Sequence, residues 1–275
     1  MKKQKQAKPK MPAVGTKNAI TWCPGCTNFM LLEAVKKALA KVIAEGTRQE
    51  DITIATGIGC HGKIFDYLNA SGIYALHGRV IPTAIGVKIG NPKLNVIGFA
   101  GDGDTYAEGM EHFIHVGRLN PDMTLIVHDN RAFSLTTGQS SPASQQCYKS
   151  KAQPFGEPNK PINPIKLALA SGASFIARVN ARDIEHTSQI IEKAIKHKGF
   201  SFIEVLQECI IFNPYPDSMD KAMYKIQDNK DRKKAEDLAD EWNYNIAGGK
   251  IPIGIIYQEE KRILEEKLEE KRCKD

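Results

Sequence analysis

Residues 94–130 read LNVIGFAGDGDTYAEGMEHFIHVGRLNPDMTLIVHDN. Leu94 to Ala100 is an apolar run with the length of a buried strand, and it closes on Gly101-Asp102-Gly103. Tyr106 to Arg118 has helical spacing, and Met123 to Val127 is a second apolar run that ends at Asp129-Asn130. Asp102 and Asn130 therefore stand at the carboxyl ends of two strands joined by one crossover helix. Ligands bind at that end of an open α/β sheet. One carboxylate and one amide oxygen suit Mg²⁺, a hard cation held by few protein oxygens together with phosphates and water. The glycines flanking Asp102 let a diphosphate approach the backbone.

The same alternation continues on both sides. Cys26 to about Ala44 reads as a helix, with Met30, Leu31, Ala34, Val35, Ala38, Leu39 and Val42 at helical spacing. Ile52–Ala55 reads as a short strand leading to Gly57-Ile58-Gly59, and Val80–Ile89 as an apolar helix. Residues 131–163 form a long polar loop, a length more often functional than idle. Then follow a helix from Ile165, a strand over Ser174–Val179, a helix over Asp183–His197 with Asp183 as N-cap, and a strand over Phe200–Leu206. Strands alternating with helices predict an α/β fold, a doubly wound and mostly parallel sheet. The pattern changes after Pro214: residues 218–243 read as charged helix, Ile251–Ile256 as a short apolar run, and Gln258–Lys274 as a charged helix. The chain divides into a disordered basic arm (1–18), a cofactor-binding domain (19–213) and a C-terminal extension (214–275) that packs on the core or on a partner.

The 275 residues are 41% hydrophobic and 25% charged, ordinary for a globular protein. No apolar run approaches the ~20 residues that span a bilayer. No signal-peptide pattern follows the basic start. A cytoplasmic location with no membrane association is the expectation. The net charge of +6 owes much to Lys2, Lys3, Lys5, Lys8, Lys10 and Lys17, with no acid before Glu33. No aromatics are interleaved with these lysines, so a nucleic-acid partner is not expected.

Six cysteines are present: Cys23, Cys26, Cys60, Cys147, Cys209 and Cys273. Trp22-Cys-Pro-Gly-Cys26 is a tight C-x-x-C turn that can aim both sulfurs at one centre. A redox pair would want a strand before it. Structural zinc would want a second close pair. A [4Fe–4S] cluster takes four thiolates, and Cys60 and Cys209 complete the set, each just past a strand end. Cys147 and Cys273 show no partner pattern.

Gly-Asp-Gly with the later asparagine resembles the motif of thiamine diphosphate (TPP) enzymes. Taken in order, the motifs are similar to those of the β subunit of the 2-oxoacid:ferredoxin oxidoreductases. They are Trp22-Cys-Pro-Gly-Cys26, Gly57-Ile-Gly-Cys60-His-Gly-Lys63, His77-Gly-Arg79 with Gly86 and Lys88, Gly101-Asp-Gly-Asp104 and His128-Asp-Asn130. Further on come Thr136-Thr-Gly-Gln139 through Ser141-Pro142, Glu204-Val-Leu-Gln-Glu-Cys209 and Lys250-Ile-Pro-Ile-Gly254. The resemblance covers roughly residues 19–257 and implies specific roles. Cys23, Cys26, Cys60 and Cys209 ligate one [4Fe–4S] cluster. Asp102, Asn130 and the carbonyl of Ala132 hold Mg²⁺. Gly59, Cys60, His61, His77, Gly78, Arg79, Gly101, Gly103 and Asp104 lie against TPP. Lys63 and Leu135 face the 2-oxoacid beside His61, and Thr137-Gly138-Gln139 closes over the site. One departure is Ala132-Phe133-Ser134-Leu135, where the family often has Tyr-Gly; it bears on substrate preference.

The implied reaction is oxidative decarboxylation of a 2-oxoacid, pyruvate or 2-oxoglutarate, with coenzyme A to an acyl-CoA and CO₂. Electrons pass through the cluster to ferredoxin. The His61-Gly62-Lys63 context leans toward the broad-specificity or 2-oxoglutarate branch. The chain is too short to hold TPP alone, so an α (or fused γα) subunit is the implied partner in a hetero-oligomer. Two other readings fit part of the sequence. One is a non-redox TPP decarboxylase or carboligase subunit with structural or zinc-bound cysteines. The other is an Fe–S electron-transfer module without TPP chemistry.

Overall fold

The computed structural model describes residues 14–245 and 249–272. The arm expected over residues 1–18 lies outside the described residues through residue 13, and so does Cys273. Val14–Thr16 runs beside Tyr67–Asn69, with Gly15 bridged antiparallel to Leu68.

In chain order the elements are α1 (Asn28–Ala44), β1 (Ile52–Thr56), β2 (Ser71–Tyr74), α2 (Val80–Gly90) and β3 (Asn95–Gly101). There follow α3 (Met110–Leu119), β4 (Met123–Asp129), α4 (Pro164–Ser171), β5 (Phe175–Asn180), α5 (Ile184–Lys196) and β6 (Phe200–Leu206). The last are α6 (Asp217–Ala222), β7 (Met223–Lys225), α7 (Arg232–Asp240), β8 (Ile251–Gln258) and α8 (Leu264–Arg272). One 8-stranded sheet has the order β2-β1-β3-β4-β6-β5-β8-β7. The pairings among β1 to β6 are all parallel, while β8 runs antiparallel to β5. The α/β, mostly parallel, doubly wound architecture is as expected.

Two apolar layers sandwich the sheet. Leu31, Val35, Leu39 and Val42 of α1 and Ile190, Ile191 and Ala194 of α5 pack on one face. On the other lie Val80, Ile81 and Ala84 of α2, Phe113 and Val116 of α3, Ile165 and Leu169 of α4, and Ala235 and Ala239 of α7. The central strands β3 and β4 are buried almost throughout, which is why they read as unbroken apolar runs rather than alternation. The Asp183 side chain caps α5 by accepting from the His186 N–H across 3.1 Å, a contact worth ~1 kcal/mol.

Four details differ from the sequence pattern. Met30 is 39% exposed and lies off the buried stripe of α1. The crossover helix is interrupted: Asp104–Glu108 is a π-helical turn, and α3 starts only after Gly109. Strand β2 is a short, exposed edge with no alternation to reveal it. The stretch read as one helix over 218–243 divides into α6, β7 and α7, because β7 pairs with β8. Tertiary pairing outweighs local helical preference there.

Candidate active site

The sheet order sets β1, β3, β4 and β6 side by side, so the segments leaving their carboxyl ends converge. These segments are Gly57–Cys60 after β1, Asp102-Gly103 after β3, Asn130 after β4 and Gln207–Cys209 after β6. Between them opens a cleft. Gly59, Cys60, His61, His77, Gly101, Asp102, Gly103, Asp104, Asn130, Ala132 and Leu135 all line it, with Ile58, Phe133, Ser134 and Thr136. Beside it is a second, roomier cavity, lined by Cys23, Cys26, Cys60, Cys209 and Lys63 among others. Cys60, Asn130, Ser134, Leu135 and Thr136 belong to both walls.

At the floor of the cleft Asp102 is 2% exposed, and its Oδ2 has no hydrogen-bond partner. Burial pushes its carboxyl up to about 7, even though the Ser141 side chain and the backbone at Gly103 and Asn130 hydrogen-bond to it. A buried carboxylate with a bare oxygen is costly unless a cation meets it. Asn130 is 8% exposed, and its Oδ1 accepts from the Ala132 N–H at 3.2 Å and the Ser134 hydroxyl at 2.9 Å. Asp102, Asn130 and the Ala132 carbonyl could together hold a hard divalent cation. Gly103 keeps the floor low: a Cβ there would lie 2.4 Å from the Phe133 ring.

The π-turn puts Asp104 and Glu108 on one side chain. His77 Nδ1 lies 3.0 Å from Asp104 Oδ1 and 3.4 Å from Glu108 Oε2, and His61 Nε2 is 3.3 Å from Asp104 Oδ2. Asp104 Oδ1 also accepts from the Gly78 N–H at 2.6 Å. Gly78 has φ +71°, and a Cβ there would sit 2.6 Å from the Glu108 carbonyl, so only glycine suits this contact. Asp104 thus places a carboxylate beside two histidines that both line the cleft. π-Bulges of this kind recur at functional sites.

All four expected cluster cysteines border the second cavity and carry no disulfide. Burial pushes the Cys60 thiol up to about 11, with the neighbouring Cys26, Cys209 and Cys23 adding to it. Cys26 is raised in the same way, burial first. Among the described residues no three His, Cys, Asp or Glu side chains close on a single point as a ready-made ion site. The thiols border a cavity instead. One zinc would draw four sulfurs to within about 4 Å of each other, given a ~2.3 Å Zn–S bond and tetrahedral geometry. A multi-iron cluster fills a larger space. The donor set, four cysteine sulfurs around one cavity, fits such a cluster.

Not every expected residue reaches the cleft. Arg79 is directed at Glu111 and His112 on the surface. Thr137 and Gln139 sit behind Thr136, with Gln139 Oε1 accepting from the Thr136 hydroxyl at 2.5 Å and the Thr137 N–H at 3.1 Å. Lys63 Nζ donates to the Thr21 carbonyl across 3.1 Å, on the cysteine side. Cys147 is exposed and apart from the other thiols. Sequence reasoning gave no role to the buried residues beneath the cleft. His128 Nδ1 pairs with Asn28 Oδ1 at 2.9 Å, and that oxygen also accepts from Gln207 Nε2 at 3.2 Å. Burial holds His128 well below its ordinary pKa. The His128-Asp-Asn motif was visible, but its partner on α1 lies 100 positions away.

The fold and the cleft are those of a TPP-binding domain. Residues 57–205 match the thiamine pyrophosphate enzyme C-terminal TPP-binding domain. The chain is 43% identical to the 2-oxoacid:ferredoxin oxidoreductase subunit beta of Saccharolobus solfataricus, over 87% of this chain and 82% of that one. It is 38% identical to the 2-oxoglutarate synthase subunit KorB of Archaeoglobus fulgidus, over 68% and 69% of the two chains. A solved 2-oxoglutarate:ferredoxin oxidoreductase from Magnetococcus marinus, with 2-oxoglutarate, coenzyme A and succinyl-CoA bound, superposes with a TM-score of 0.89. That superposition is at 30% identity and covers 99% of this chain and 92% of the other. The chain belongs to the β subunits of the 2-oxoacid:ferredoxin oxidoreductases, and it is an oxidoreductase subunit. Among the described residues no helix is long and apolar enough to cross a membrane.

Proposed function

We propose that this chain, with an α (or fused γα) partner subunit, converts a 2-oxoacid and coenzyme A into an acyl-CoA and CO₂. It passes the electrons to ferredoxin. The observation that carries this reading is the wall common to the two cavities: Cys60 lines both the Asp102–Asn130 cleft and the four-cysteine cavity. A decarboxylase without redox chemistry has no use for four thiols around the adjoining cavity, and an electron-transfer module has no use for the cleft.

When bound, TPP supplies an electron sink for the 2-oxoacid. Asp102, Asn130 and the Ala132 carbonyl hold Mg²⁺ at the diphosphate end and orient the cofactor. His61 and His77, flanked by the Asp104 carboxylate, line the reacting side and accept or return protons there. Leu135, 49% exposed at the mouth, shapes the room around the substrate, and Lys63, whose ammonium rests on the Thr21 carbonyl on the cysteine side, swings across the shared wall to offer a cation to the substrate carboxylate. Cys23, Cys26, Cys60 and Cys209 hold one [4Fe–4S] cluster, which supplies one-electron acceptance beside the cleft. The partner covers the other end of the cofactor. The cytoplasm, where thiols stay reduced, suits this set. The relatives' names make 2-oxoglutarate the first substrate to assay, with pyruvate second.

The test is an anaerobic assay of the reconstituted complex with coenzyme A and each 2-oxoacid, following CO₂ release and reduction of a low-potential dye together. Coupled, CoA-dependent reduction supports the proposal. CO₂ release without dye reduction would move the chain to the non-redox decarboxylases.

A further inference from the structure

Arg131 stands between Asn130 and Ala132, the two residues proposed to give oxygens to the cation, and its backbone is left-handed, with φ 60°. A non-glycine residue persists in that region when its surroundings over-determine it. The Asp129 carbonyl accepts from the Gln207 N–H and from the Tyr215 hydroxyl, each at 3.1 Å. The Asn130 carbonyl accepts from Asn213 Nδ2 at 3.0 Å, and the Arg131 carbonyl from the Ser144 hydroxyl at 2.5 Å.

The buried Arg131 side chain adds a long-range tie. Its Nε donates to the Ala143 carbonyl at 3.1 Å, its Nη2 donates to the Tyr244 carbonyl, and its guanidinium lies 5.8 Å from the Trp242 ring centre. Tyr244 is itself fixed. It is left-handed at φ 63°, stacked on Trp242 at 4.0 Å, and its hydroxyl donates to Glu204 Oε2 at 2.8 Å while accepting from Arg178 Nη2 at 2.5 Å. Glu204 and Arg178 form a fully buried ion pair at 2.7 Å. Trp242 and Tyr244 both lie beyond the residues that match the TPP-binding domain.

We infer that Arg131 is a positioning residue that ties the Asp129–Ala132 turn to the C-terminal segment Trp242–Tyr244. Through it, that segment sets where the Asn130 and Ala132 oxygens meet Mg²⁺–diphosphate. The inference rests on the reading of the cleft as a Mg²⁺–TPP cradle. Two carbonyls in different directions need a rigid fork of donors, which arginine has and lysine lacks. Groups that orient metal ligands change affinity by ~10–100-fold when removed.

The test uses the complex with Arg131→Gly, Arg131→Lys or Trp242→Leu, and reads the Mg²⁺ concentration for half-saturation of TPP binding by equilibrium dialysis. No substrate is present, and the visible absorbance of the cluster reports folding. Arg131→Gly relieves the backbone and removes the fork; Arg131→Lys keeps charge and bulk. Both are expected to need ~10-fold more Mg²⁺ with the cluster absorbance intact. Trp242→Leu is expected to shift the requirement in the same direction by a smaller factor. Wild-type Mg²⁺ requirement in Arg131→Gly and Arg131→Lys would overturn the inference, as would a Tm loss with no shift. Asp102→Asn is run alongside. If it binds TPP as the wild type does, the cradle reading fails, and the inference falls with it.

Discussion

The indole Nε1 of Trp22 donates to the carbonyl oxygen of Cys60 across 2.7 Å. This bond ties the C-x-x-C turn, whose first cysteine follows Trp22, to the loop after β1 that closes the cleft. Trp22 is also packed edge-on against Tyr67 at 4.8 Å and Phe29 at 5.6 Å. It is buried in the layer below α1. Trp22→Phe keeps most of that packing and orphans the Cys60 carbonyl. The expected cost is about 1 kcal/mol of stability and faster loss of the cluster to a chelator. Visible absorbance against time checks it. Unchanged bleaching would mean that the bond does not hold the two thiol loops together.

Asp102 makes cation binding pH-dependent. Its carboxyl, near 7 in the folded chain and near 3.9 in an unfolded one, takes up a proton in the native state as pH falls through 7. Mg²⁺ must displace that proton. Mg²⁺ affinity is therefore expected to rise with pH up to about 7, by up to tenfold per unit, and to level off above. The cation-free protein should lose stability as pH rises from about 4 to 7, because the native state binds more protons than the unfolded one there. Mg²⁺ titrations at several pH values, paired with thermal melts, test both signs. A flat Mg²⁺ affinity across this range would exclude Asp102 as the ligand.

Asp104 lies within 3.3 Å of His61 and 3.0 Å of His77, and its expected role is to position them rather than to hold the metal. Asp104→Asn keeps the shape and the Oδ1 acceptor for the Gly78 N–H but removes the negative charge beside His61 and His77. A kcat loss of about 10²-fold with little change in TPP affinity is the expected split. Loss of TPP binding in this variant would make Asp104 part of the cofactor cradle instead.

The two cavities are separable by mutation although they share a wall. Cys209→Ser should remove the brown absorbance and dye reduction while TPP still binds in the presence of Mg²⁺. Asp102→Asn should lose TPP binding, and dye reduction with it, while keeping the brown absorbance. Simultaneous loss of both cofactors in either variant would mean that the sites form one structural unit.

The strand–helix–strand unit over residues 94–130 was legible because both strands are buried on two faces and the crossover is amphipathic. The four-cysteine cavity was legible for a different reason. Parallel sheets collect the segments after their strands at one edge, so Cys60 after β1 and Cys209 after β6 meet there, and the C-x-x-C turn ahead of α1 joins them. Arg131 gave no such signal. It reads as a polar loop residue until Tyr244, 113 positions away, is seen beneath it. The π-turn at Asp104 was hidden by helical spacing that is right on average and wrong locally. Strand β8 was read only as an apolar run, since antiparallel insertion beside β5 is a tertiary choice.

The most direct test is the iron and acid-labile sulfide content of the chain purified without oxygen, followed by its spectrum on adding 2-oxoglutarate and coenzyme A to the complex. About four irons and four sulfides per chain, with absorbance that bleaches only when both substrates are present, is the predicted result. Zinc or no metal on Cys23, Cys26, Cys60 and Cys209, with TPP still bound, would contradict a redox role and leave a decarboxylase subunit with structural cysteines.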